Sequence, residues 1–123
     1  MLPYKMPLRL LSIGVASDIF STRNAVLRQA GFLVDSTTDL GEAVRLFRNA
    51  DFNSAVICHL IPTRQKEQLI RQLKELKPLT PIVSVTDGTG GPGADVEVFN
   101  LDGPEVLLSS LHQAIDSSDS PRV

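Results

Sequence analysis

Five short apolar runs alternate with amphipathic stretches along nearly the whole chain, and no other feature of the sequence restricts the fold as tightly. The runs are Arg9 to Val15, Phe32 to Thr37, Ser54 to Ile61, Pro81 to Thr86 and Val96 to Leu101. Bounded by turn residues and shorter than a helix needs, they read as buried strands. The spacing between them predicts helices. Ser17 or Asp18 caps the first, whose Ile19, Phe20, Val26, Leu27 and Ala30 form one stripe, and Gly31 ends it. Asp39 and Glu42 resemble a capping box, with Leu40, Ala43, Val44 and Phe47 on one face behind it. Thr63 opens a third helix with Leu69, Ile70, Leu73 and Leu76 inward, and Pro78 stops it. Pro104 takes the first position of the last helix, which carries Leu107, Leu108, Leu111 and Ile115. Strands alternating with helices build right-handed βαβ units, so the fold class is α/β with a parallel sheet covered on both faces. The rule breaks once. Residues 87 to 95, DGTGGPGAD, offer a glycine-rich loop where a helix is due.

The 123 residues suffice for one domain with a core, expected over 9–116, after an N-terminal extension (1–8) and before a polar, disordered tail (117–123). A net charge of −2 gives no reason to expect a nucleic-acid or membrane partner. Arg64, Lys66, Arg71, Lys74 and Lys77 share one helix, but Glu67 and Glu75 dilute them, and they read as a solvated face. One cysteine excludes an internal disulfide and a Cys-rich zinc site. The apolar start is too short for a signal peptide's core, and no run approaches the roughly 18 residues of a membrane helix. The expectation is a cytoplasmic protein.

Cys58 and His59 end the third run, where an open α/β sheet carries its working residues. As strand neighbours they would point to opposite faces, which opposes a nucleophilic pair. With His112 as the one other histidine they make a poor metal set. Cys58 then reads as a small buried hydrophobe and His59 as a strand-end residue. Gly88, Gly90 and Gly93 satisfy G-x-G-x-x-G, but a strand-like segment follows where a dinucleotide loop requires a helix. Asp18, Asp87, Asp95 and Asp102 read as caps and turns.

From about Arg9 to Ile115 the ordered segments resemble the receiver domain of two-component response regulators. RLLSIGVASDIFSTRNAVLRQAGF is similar to the family's opening strand and helix, with Gly31-Phe32 as its Gly-aromatic turn. VICHLIP resembles the strand that ends in an aspartate four residues before a proline, LKPLTPIVSVT the fourth strand, and GADVEVFNLDGPEVLLSSL the last strand and helix. The resemblance implies a CheY-like, flavodoxin-like three-layer sandwich with strand order 2-1-3-4-5 and the fourth helix missing. It also implies a vacated phosphorylation site. The acidic pair that holds Mg²⁺ corresponds to Gly14 and Val15, the phosphoryl acceptor to Cys58, the lysine after the last strand to Asn100, and the proline behind it to Leu101. Thr86 alone keeps its hydroxyl. Without carboxylates or the lysine, nothing neutralises a transferring phosphoryl group.

The expectation is a degenerate receiver, not an enzyme, with no cofactor and no Mg²⁺. It would act in phosphorelay signal transduction as a phosphorylation-independent interaction module, its partner a signalling protein or a second copy. Two other readings stay open: a thiol sensor of redox or nitrosative state through Cys58, and a small-ligand binder at the strand carboxyl ends with the 88 to 93 loop closing over it. Loss of a helix predicts an exposed apolar patch on strands four and five, with Val83, Val85, Val96 and Val98 as the interface.

Overall fold

A computed structural model describes residues 7–88 and 93–119. Five parallel strands, β1 (Arg9–Ile13), β2 (Leu33–Thr37), β3 (Ser54–Ile57), β4 (Ile82–Thr86) and β5 (Val96–Phe99), form one sheet in order 2-1-3-4-5. Four α-helices connect and follow them: α1 (Asp18–Gln29), α2 (Leu40–Asn49), α3 (Thr63–Leu76) and α4 (Pro104–Asp119). This is the flavodoxin-like α/β arrangement that the resemblance implies. The described residues between β4 and β5 contain no helix. β3 stops at Ile57 rather than Ile61, and β5 gives way at Asn100 to a 3-10 turn, Asn100–Asp102. The last helix runs to Asp119, beyond the expected boundary at 116, while most of the expected extension and the end of the tail lie outside the described residues.

Alternation along the strands sorts the core into two layers. Leu11, Ile13, Ala55, Ile57 and Ile82 pack with Ala43, Phe47, Leu69, Ile70 and Leu73 of α2 and α3. Leu10, Val56, Val83, Val85 and Val98 pack with Leu27 of α1 and Leu107, Leu111 and Ile115 of α4. The four valines expected on an exposed patch are instead covered by helices of the same chain. Val83, Val85 and Val98 are at most 3% exposed, and Val96 is half-buried against the same cluster. The period of two assigns these valines to the side that α1 and α4 cover. On the other side it leaves Ile82 and Ser84, both buried, and Glu97 and Phe99, both exposed.

The stripe of α1 is also rotated from expectation. Phe20, Asn24 and Leu27 are buried, whereas Ile19 is 49% exposed. Asn24 enters the core because Ser12 Oγ donates to its Oδ1 at 2.6 Å. Ser17 caps α1, its Oγ accepting from the Phe20 N–H. At α2 half of the capping box forms: Asp39 Oδ1 accepts from the Glu42 N–H, but the Glu42 side chain accepts from Thr37 Oγ1 instead of returning to the Asp39 N–H. Thr37 Oγ1 takes that N–H. Asp95 ties the loop to the sheet. Its carboxylate accepts from the Ile82 N–H at 2.7 Å and pairs with Lys74 at 2.9 Å, while its own N–H donates to the Ile82 carbonyl.

Candidate functional site

The carboxyl ends of β1 and β3 meet at the switch point, where the strand order reverses, and β5 ends on the same edge of the sheet beyond β4. Gly14, Val15, Cys58 and Asn100 all lie at these ends. Cys58 is no longer in the strand, although its N–H still donates to the Ile13 carbonyl. It is 2% exposed. Cys58 and His59 make no hydrogen bond to each other among the described residues, and a third side chain joins them. Arg23, reaching over from α1, directs Nη1 to Cys58 Sγ at 3.5 Å and Nη2 to His59 Nδ1 and Asn100 Oδ1, both at 3.4 Å. The Leu60 N–H donates to the same sulfur at 3.5 Å.

A second cation lies close by. Lys66, expected on a solvated face, is 4% exposed and donates from Nζ to the Val85 carbonyl at 2.6 Å. Burial lowers its pKa from 10.5, against the opposing pull of Cys58, Asp87 and Glu97. His59 titrates below 6.5, because burial and then the charges of Arg23 and Lys66 disfavour its imidazolium; Asp87 opposes them. Two cations, Arg23 and Lys66, thus act on the strand ends, with Asp87 opposing them.

Arg23 and Lys66 are the two residues that reading the sequence missed. Periodicity marks both in retrospect. Lys66 shares its stripe with Leu69, Ile70 and Leu73, and Arg23 lies between the buried Phe20 and Leu27. Thr86 uses Oγ1 to accept from the Gly88 N–H at 3.1 Å, which closes a turn.

These residues do not fit the Mg²⁺ that the fold implies. The residues at the ends of β1 and β3 are Gly14, Val15 and Cys58, none of which has a carboxylate. Mg²⁺ requires hard oxygen ligands, and a thiol is a soft one. Among the described residues no three His, Cys, Asp or Glu side chains group to hold a metal. A side chain cannot simply be restored at Gly14, because a Cβ there would overlap the Phe20 ring and lie 3.0 Å from Cys58 Cβ. Gly90 of the G-x-G-x-x-G pattern lies outside the described residues; Gly88 and Gly93 have φ of +100° and +117°, and β5 follows them rather than a helix.

No protein-family model matches the sequence, and neither does any curated protein. Solved structures do resemble the fold. A CheY-like response regulator receiver domain protein from Methanospirillum hungatei JF-1 aligns with a TM-score of 0.82 at 20% identity, covering 93% of this chain and 98% of that one. The signal receiver domain of an HD domain-containing protein from Pseudomonas fluorescens Pf-5 gives 0.81 at 14% identity over 94% and 100% of the two chains. The receiver domain of sensor histidine kinase PA1611 from Pseudomonas aeruginosa PAO1 gives 0.80 at 16% identity over 90% and 99%, and that structure has a magnesium ion coordinated in its active-site cleft. At these identities the likeness establishes the fold.

Proposed function

We propose that this chain is a receiver-like signalling domain that has abandoned aspartyl phosphorylation and works as a protein-interaction module. The observation that carries this is the cation in the site. Where a receiver would present carboxylates to Mg²⁺, this chain presents Cys58, a glycine packed under Phe20, and the Arg23 guanidinium bridging Cys58, His59 and Asn100. Guanidinium is always charged and disfavours a divalent cation beside it. Its contacts tie α1 to the ends of β3 and β5. Exposed Val15, Ile19 and Leu60 lie around the same strand ends, at 39%, 49% and 39%, and supply apolar surface for a signalling partner or a second copy.

The test is exposure of the native protein to a small acyl phosphate with Mg²⁺, followed by mass spectrometry of the intact chain. The expected spectrum shows no phosphoryl adduct. A Mg²⁺-dependent, base-labile adduct would overturn the proposal. A second reading, a thiol sensor, draws on the Arg23 guanidinium and Leu60 N–H that both point to Cys58 Sγ. Such an electropositive setting activates thiols, whereas burial opposes reaction. Labelling of native Cys58 as fast as a free thiol would put that reading first.

A further inference from the structure

We propose that the cleft between α1 and α4 binds a small monocarboxylate with an apolar body. The cleft encloses about 340 Å³ beside β4 and β5, at the lower end of the roughly 300–1,000 Å³ typical of ligand pockets. Val26, Val85, Val98 and Leu107 line it, with Ile19 exposed beside them. Arg23, Asn100, Asp18 and Thr22 are the polar side chains of its lining. Apolar walls with a few convergent polar groups are the usual makeup of a small-molecule site.

Arg23 determines the ligand's charge. The ion pairs found among the described residues use Arg9, Lys74 and Lys77. Arg23 instead has a sulfur, a ring nitrogen and an amide oxygen, all at 3.4–3.5 Å. None is a carboxylate, and all three contacts are long for a guanidinium, whose charge-assisted bonds to carboxylate run about 2.7–2.9 Å and are about twice as strong as neutral ones. A ligand carboxylate therefore competes well for the fork, while its apolar tail covers Ile19 and Val26. Asp18, exposed in the same lining, disfavours a dianion and limits the ligand to one negative charge. Binding would draw Arg23 from Cys58, His59 and Asn100, so occupancy is reported at the strand ends. The proposal rests on the cleft alone and does not depend on how the domain signals.

The test titrates the full chain with octanoate, and in parallel with octanamide, following backbone amide shifts by NMR. Octanoate is expected to saturate with shifts concentrated in α1, β5 and the start of α4, and to bind at least about tenfold more tightly than the amide. Arg23→Gln should remove that preference and leave octanamide binding nearly unchanged. Asp18→Asn should tighten octanoate binding. Equal affinity for acid and amide, shifts centred elsewhere, unsaturable binding, or an Arg23→Gln protein that keeps its preference for the acid would each overturn the proposal.

Discussion

Lys66 shows how one buried charge is held in this fold. Its stem lies on the apolar stripe of α3, and its ammonium is satisfied by one short bond to the Val85 carbonyl. Burying a cation is costly even with the pull of Asp87 and Glu97, and an apolar residue of similar shape often does as well or better. Lys66→Met is therefore expected to be neutral or to stabilise by up to about 2 kcal/mol in urea unfolding. A loss larger than about 1 kcal/mol would mean that the bond to Val85 outweighs the desolvation. His59 has a pKa lowered from 6.5 in the fold, so between the two values the unfolded chain binds more protons. Its contribution is complete above pH 6.5 and is lost as pH falls through the folded-state value. Urea midpoints should fall from about pH 7.5 to about pH 5.5, and His59→Gln should flatten part of that slope. Cys58→Ala should cost only about 1 kcal/mol or a little more, as a small truncation in a packed site.

The β4–β5 connection is the element that departs most from a regular βαβ chain. Nine residues join Thr86 to Val96, and Asp95 anchors their far end to α3 and β4. Asp95→Ala removes an ion pair to Lys74 and leaves the Ile82 N–H without its carboxylate partner. A loss of about 1–3 kcal/mol in thermal or urea unfolding is expected, most of it from the orphaned N–H. The burial of Val83 and Val98 gives a sharper test of which face is covered. Val83→Asp or Val98→Asp should destabilise the domain by roughly 3–5 kcal/mol, as an unpaired charge buried against α1 and α4 does. Survival of the fold with only an altered oligomeric state would restore these valines as an interface.

Across the whole molecule, the apolar residues left exposed divide by position. Val15, Ile19 and Leu60 gather at the carboxyl ends of the sheet, whereas Leu33 and Leu79 stand apart from them. If the strand ends are the signalling surface, Ile19→Asp or Leu60→Asp should weaken association with a partner or a second copy. Stability should change by no more than about 0.5 kcal/mol, as for other exposed sites. Sedimentation velocity over a concentration range, alongside thermal melts, separates the two effects.

The strand–helix alternation, the parallel sheet and the caps at Ser17 and Asp39 were legible in the chain because period and capping chemistry are local. Which face each valine of β4 and β5 takes, and which face lost its helix, needed the packed sheet. A period of two separates the faces but does not say which layer lies above either one. The Arg23 cluster was invisible for a related reason. Cys58, His59 and Asn100 lie 35 to 77 residues from Arg23, and only the packing of α1 beside the ends of β3 and β5 brings them within reach of one guanidinium.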